Sequence, residues 1–450
     1  MENKTKLKAL FIVPSVVGIL IFMIPVKFNG GWTIIVKIIS DLIGGFLGGF
    51  LPYLVLGILT ISAIMSTIAL GNPKFIINNK LLEDSFVTSP IWVFIRVLGA
   101  VFCWITMFVS DEKNPLYLIA SPDQGGFILN DLLCTLVITF AMAGLLLPLL
   151  LDFGLLEFIG ALLTKLMRPL FNVPGRAAVD CITSWIGDGT LGVMLTCNQY
   201  ERGYYSAREA SIISTTFSAV SITFSLVVLD QVGLVDYFGI YYLTICLIGF
   251  TCALVCTRIP PLRLKKDTYL VEGNRMPEAI PEGFANSRAY GMDLAMRRVQ
   301  KHKGIAEFLE NGTKNMASMW FGVLPTVMSI GTVALMVANT TPIFEYMGIP
   351  FRPLFAMLQV PDVNAAASTM IIGFVDMFTP SILISGAGVC AMTKFIVAVV
   401  SVTQVIYLSE IGGLIMASKL PVNLIELFVI FLERTIISLL IVCPIAHIIF

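Results

Sequence analysis

Residues 183–190 read TSWIGDGT, at the centre of a stretch, Ala177 to Cys197, that is otherwise apolar enough to cross a membrane. Its reading decides the fold, because a segment that crosses and one that dips and returns place everything after it on opposite sides. Two glycines weaken a helix. A carboxylate such as Asp188 costs roughly 2.5 to 3.5 kcal/mol near the middle of a bilayer on insertion scales.

The membrane itself follows from composition. The 450 residues are 57% hydrophobic and 13% charged, with a mean hydropathy of +0.89, too few ionisable groups to clothe a soluble globule of that size. Basic and acidic residues balance at 29 each, which says little about partners, because in a bilayer what matters is where the charges lie; there is no case for nucleic-acid binding. The absence of a Walker motif, nucleophile elbow, HExxH or phosphate-cradling glycine loop argues against an enzyme or an ATP-driven pump. The nine cysteines lie mostly in apolar segments without a CxxC. Cys252 and Cys256 share a helix face at i, i+4, but with only His302 and His447 in the chain a metal site has few ligands to recruit.

Apolar runs long enough to span about 30 Å of hydrocarbon fall near residues 9–26, 46–70, 87–109, 128–151, 207–229, 238–257, 316–339, 392–417 and 422–449. The first is long and lacks an A-x-A site, so it reads as a transmembrane helix rather than a signal peptide. The loop 258–315 carries eleven Lys/Arg against seven Asp/Glu, which the positive-inside rule puts in the cytoplasm, with the N-terminus and its Lys4, Lys6 and Lys8. Were 177–197 to cross, that basic loop would be stranded outside. If 177–197 is a re-entrant hairpin, every basic loop stays inside. Such a hairpin must be buried in protein or line a polar cavity, since its broken backbone cannot face lipid.

The tetrapeptide RPLF occurs at 168–171 and again at 352–355, each time before a glycine-broken apolar segment with a central aspartate: GDGT around Asp188, GFVDMFTPS around Asp376. Each is followed by a Ser/Thr-bearing helix, ending in DQVGL at 230 and EIGGL at 410. These matches predict two copies, 128–235 and 316–415, entering the membrane from opposite faces, the plan of many secondary transporters. The expected fold is therefore an all-α polytopic membrane protein of about nine transmembrane helices plus two re-entrant hairpins, with an inverted-repeat, transporter-like core. Its expected parts are an N-terminal three-helix scaffold (1–127), a first repeat with a linking helix (128–257), the cytoplasmic loop (258–315), a second repeat (316–417) and a C-terminal transmembrane helix (418–450).

The candidate solute- or ion-binding residues follow from this plan. In hairpin one they are Ser184, Gly187, Asp188 and Thr190, and in hairpin two Gly373, Asp376, Thr379 and Ser381. Gly and Pro expose half-helix ends whose free N–H and C=O groups can hold a solute or an ion; the plainer reading of Asp188 is that it caps the second half-helix of its hairpin. On the following helices, Ser214, Ser218, Ser221 and Ser225 share a face, of which Ser221 is the candidate, and Gln404 and Glu410 are long polar groups ill suited to mere packing. Glu433 and Arg434, inside the last span, are expected in a buried charge network tying that helix to the second repeat. Ser287 to Asn311 fits one basic amphipathic helix, with Met292, Met296, Val299, Ala306 and Leu309 on one side.

The hairpin regions, and above all GFVDMFTPSILISGAGVCAMTKFIVAVVSVTQVIYLSEIGGLIMASKLPVNLIELFVIFLERT (373–435), resemble the YjiH-like group of bacterial membrane proteins that carry the nucleoside-recognition, or Gate, domain. The resemblance implies a nucleoside-like solute. The expectation is an ion-coupled secondary transporter of a small polar solute in the bacterial plasma membrane, working by alternating access, with no cofactor beyond a coupling Na⁺ or H⁺. The expected partners are that solute and membrane lipid, with a second copy or a second membrane subunit as further candidates. Two alternatives stand beside it: a non-transporting Gate-type subunit that assembles with another protein, and a metal-ion permease, which would need Cys181, Cys197 and Cys390 to converge at the hairpin tips.

Overall fold

Among the described residues, six helices are long and apolar enough to cross a membrane, and they carry large apolar side chains on their outer faces; Phe94 is 65% and Leu243 70% exposed, as lipid-facing residues should be. The chain is a multi-pass membrane protein. The structure, a computed structural model, describes residues 2–22, 24–28, 31–71, 73–187, 189–217, 220, 222–272, 284–302, 304–385 and 388–450. Asp188 and Ser221, two of the candidate residues, lie outside the described residues, as does Ser218.

Internal packing divides the chain into two units. The first comprises Met1–Pro169, Pro174–Val179 and Asn274–Val333. It holds α1 (Glu2–Phe22), α2 (Ile35–Ala69), α3 (Pro90–Phe108), α4 (Gly125–Leu151) and α5 (Leu155–Phe171). A small antiparallel ribbon, β1 (Pro25–Phe28) with β2 (Gly31–Ile34), joins α1 to α2 and is an addition to the expected all-helical plan. The second unit comprises Leu170–Val173, Asp180–Gly273 and Ala334–Phe450. Its elements are the rest of α6 (Ala177–Ile182), α7 (Gly189–Glu201), α8 (Ala207–Thr216), α9 (Ile222–Gln231) and α10 (Phe238–Val255).

The single amphipathic helix expected over 287–311 is two helices. α11 (Ser287–Lys301) ends before Gly304, whose φ of +88° suits glycine and breaks the run, and α12 (Ile305–Val337) continues into the membrane. The apolar side of α11 is covered by protein: Ala295, Val299, Met292 and Met296 pack with Phe11, Leu7 and Phe158. α4 and α12 each contain a π-helical turn, at Ile128–Leu133 and Met319–Val323, and lie close along small residues, with Gly144 against Met316 and Gly312 against Leu145. Trp320 Nε1 donates to the Val137 carbonyl (2.8 Å) across the same contact.

The remaining elements of the second unit are α13 (Val363–Met370), α14 (Thr379–Ile384), α15 (Ala391–Thr403), α16 (Ile411–Ala417) and α17 (Leu424–Ile449). Two of the nine expected spans are interrupted. The run 207–229 stops at Thr216 and resumes at Ile222, and the run 392–417 stops at Thr403 and resumes at Ile411. Neither is one continuous helix, and the apolar part of α1, Leu7–Phe22, is short. No glycine or proline causes either break. The causes are tertiary and lie in the site.

In the first unit, the wholly buried Asp152 receives Arg298 Nη2 (2.9 Å) and Asn311 Nδ2 (2.8 Å), joining the α4–α5 corner to α11 and α12. Asp152→Ala removes the acceptor of both donors and should cost about 1 to 3 kcal/mol, seen as a lower melting temperature of the detergent-solubilised protein. A melting temperature equal to that of the unaltered protein would show that these bonds contribute nothing.

Candidate functional site

Hairpin one is a true reversal. Thr196 Oγ1 donates to Asp180 Oδ2 (3.1 Å), sixteen residues back along the chain, and a Cβ on Gly192 would overlap the side chain of Ser184. In one straight helix these partners would be far apart. Gly192 is needed because the two arms approach within van der Waals contact there. The inward arm ends in a π-helical turn, Thr183–Gly187, and the outward arm, α7, starts at Gly189. Tyr205 Oη also donates to Asp180 Oδ2 (3.0 Å), so this buried carboxylate fastens the base of the hairpin.

Hairpin two closes the same way. The backbone N–H of Cys390 donates to Asp362 Oδ2 (2.9 Å), and these residues stand equally far in sequence from Asp376. That N–H favours the ionised carboxyl and holds Asp362 below the usual carboxylate range. At the tip, Asp376 Oδ2 accepts from the N–H groups of Phe378 (2.9 Å) and Thr379 (2.8 Å) and from Thr379 Oγ1 (2.8 Å), while Ser409 Oγ reaches Oδ1 (3.4 Å). Asp376 thus caps the start of α14, and its burial to 5% exposure is balanced by these donors.

The break after α15 is laced to this tip. Leu408 N donates to the Phe374 carbonyl (2.8 Å) and Ser409 N to that of Val375 (3.0 Å), a short extended pairing in place of helix. Val405 adopts φ +65°, a strained conformation for a β-branched residue that only its fixed surroundings maintain. Gln404 Nε2 caps the end of α13 through the Met370 carbonyl (3.0 Å) and also donates to Thr435 Oγ1 (2.9 Å). Gly373 makes this possible: a Cβ there would overlap Gln404 Oε1. Tyr407 Oη covers the Ser401 and Val402 carbonyls (3.0 and 2.9 Å).

The last orphan carbonyls go to Arg434, 1% exposed in the middle of α17. Its Nε and Nη2 donate to Thr403 O (3.0 and 2.8 Å), and Nη1 donates to Thr216 O (3.1 Å) and Thr215 O (3.4 Å). One guanidinium therefore holds the C-terminal ends of α8 and α15, the two helices that break. The expected network around Arg434 exists, but its partners are backbone carbonyls, and it reaches both repeats rather than the second alone.

Of the candidate residues, the structure brings Gly373, Asp376, Thr379 and Gln404 together, with Glu410 at the start of α16 just past the laced segment. Gly187 ends the π-turn at the first tip; Ser184 packs within hairpin one, where Thr190 is buried in the first turn of α7. Buried hydroxyls with open hydrogen-bonding capacity remain at both hairpins and on α9: Thr183 Oγ1, Ser184 Oγ, Ser381 Oγ and Ser225 Oγ. Thr435 and Ser409 are site residues that the sequence reading missed. Arg434, Thr435 and Ser438 are the available signal, a polar patch on an apolar span. Among the described residues no three His, Cys, Asp or Glu side chains are placed to hold a metal, so the cysteines do not supply the convergence that a permease for metal ions requires.

Among the described residues, the second unit of this membrane protein holds two closed hairpins and two broken helices around a buried polar centre. The Gate family, described as nucleoside recognition, matches residues 133–235. An uncharacterized protein of Alkalihalophilus pseudofirmus is 42% identical over 452 aligned positions, covering 100% of this chain and 96% of that protein. A solved structure of CNTnw in an outward-facing state aligns with 91% of this chain and 97% of that one, at 12% identity and a TM-score of 0.43. The chain belongs to the same family as the Alkalihalophilus protein, and the Gate match lies within its residues 133–235.

Gly373→Ala should displace Gln404 and lower stability by about 1 to 3 kcal/mol through its two lost bonds. Adding Gln404→Ala removes the overlap, so the double variant should lose clearly less than the sum of the two single losses; strict additivity in melting would refute the contact. Acid should act on the base of hairpin two. Because Asp362 is held low, the stability it lends is present above the ordinary value of about 3.9 and is lost as pH falls through the lowered value. Hydrogen exchange at the Cys390 amide, corrected for its intrinsic rate, should stay constant from about pH 8 to 5 and quicken only below the ordinary carboxylate value of about 3.9.

Proposed function

We propose that the protein is a secondary transporter of a small polar solute, of the nucleoside type, across the bacterial plasma membrane. One observation carries this reading: the second unit keeps an unwound, polar centre inside a membrane protein, with hydroxyls at both hairpins, Thr183, Ser184 and Ser381, that have unfilled hydrogen-bonding capacity. Polar groups in hydrocarbon are costly unless they are used, and solute paths are where such groups persist. The Gate match, with its description of nucleoside recognition, supports the choice of solute. A nucleoside also needs an apolar wall for its base, and Phe378 and Phe224, with ring centroids 5.8 Å apart, offer one beside the second tip.

The solute is taken up on one side and released on the other as the polar centre is exposed alternately, driven by a Na⁺ or H⁺ gradient. Asp376 acts in this scheme as a positioning residue, because its Oδ2 is engaged by the hairpin's own donors. Asp188 and Glu410 are the carboxylates proposed to carry coupling. The reading involves no catalysis, and the N-terminus and the 258–315 loop lie in the cytoplasm. The assembly reading, a Gate-type subunit serving another protein, has no observation of its own in its favour.

Purified protein in liposomes should accumulate labelled nucleosides only when a Na⁺ or proton gradient is imposed. Asp376→Ala, which removes a helix cap of about 1.4 kcal/mol, should reduce the uptake rate roughly tenfold. Failure of any nucleoside or free base to accumulate under either gradient would refute transport of this class.

A further inference from the structure

The carbonyls of Thr215, Thr216 and Thr403 converge on one point between α8 and α15. The last carbonyls of a helix lack intrahelical partners and carry the negative end of its dipole. In discontinuous membrane helices such ends coordinate cations. Two of them aimed at a single point make a cation site. Here the point is occupied by the guanidinium of Arg434, and all four of its hydrogen bonds run to these carbonyls. The side chain is 1% exposed, so no water-filled route to solvent competes for it.

We propose that the ends of α8 and α15 form a binding site for a small monovalent cation, and that Arg434 is its resident, covalently tethered occupant. The guanidinium does for the unwound centre what a bound sodium ion would otherwise do, and it cannot leave. Two consequences follow. With Arg434 in place no metal ion binds at these carbonyls, so any ion coupling runs through other groups of the protein. Removing the side chain exposes a site that sodium or free guanidinium can fill. The inference concerns the folded protein alone and holds whether or not the chain transports a solute.

The test is a melting titration of the purified full-length protein in detergent, with sodium chloride, guanidinium chloride at millimolar concentration and choline chloride as the control too large to enter. The unaltered protein should melt at the same temperature in all three at equal ionic strength. Arg434→Ala should melt roughly 5 °C lower or more, and guanidinium or sodium, but not choline, should restore at least about half of the loss. Arg434→Gln keeps amide donors for the Thr403 carbonyl and removes the charge, and it carries the same test where Arg434→Ala does not accumulate. Selective recovery in either variant supports the site. A variant that melts like the unaltered protein, or that melts lower and is indifferent to all three cations, overturns it.

Discussion

The guanidinium of Arg434 bonded to the ends of two helices is the contact on which the second unit depends. A helix interrupted in hydrocarbon strands carbonyls that water cannot reach, each at a cost of several kcal/mol. The chain answers with a near-complete accounting. Arg434 takes the Thr215, Thr216 and Thr403 carbonyls, Tyr407 takes those of Ser401 and Val402, and Gln404 takes that of Met370. At the opposite pole, Asp376 takes the free N–H groups at the start of α14. Each break exists because a polar side chain from elsewhere in the fold is positioned to receive it.

This accounting separates residues that build the site from residues free to act in it. Asp376 belongs to the frame through Oδ2, which accepts three close hydrogen bonds, while Oδ1 has only the longer contact from Ser409. Ser381, a few residues on, is wholly buried and unengaged. The hydroxyls on hairpin one, Thr183 and Ser184, share that condition. Neutral hydroxyls can donate and accept, and they suit an uncharged, many-handed solute better than they suit an ion that needs several oxygens at once.

Much of this was legible in the sequence, and the parts that were not have a common reason. TSWIGDGT and GFVDMFTPS announce hairpins through glycine, proline and a misplaced aspartate. The apolar spans are equally plain from their length. The breaks after Thr216 and Thr403 are invisible because FSAVS and QVIYLSE contain no breaker; β-branched and aromatic residues there look like ordinary membrane helix. What ends those helices is a set of bonds to backbone atoms, and a backbone carbonyl leaves no mark in residue identity. For the same reason Arg434 could be read as a buried charge in need of partners, while the partners could not be named. The split of 287–311 into two helices is a different case, because Gly304 was there to be read.

The lacing of hairpin two constrains how the second unit can move. Its tip shares two backbone hydrogen bonds with the unwound segment, through Leu408 and Ser409, and two side-chain links, Gln404 to Met370 and Ser409 to Asp376. Opening the hairpin alone would break all four at once in a medium that offers no replacement donors, at a cost of several kcal/mol. The strained backbone of Val405 is held by the same contacts and would be released with them. The cheaper motion keeps the lacing intact, so that α13, α14, α15 and α16 shift as one body and bending concentrates at the ends of that body.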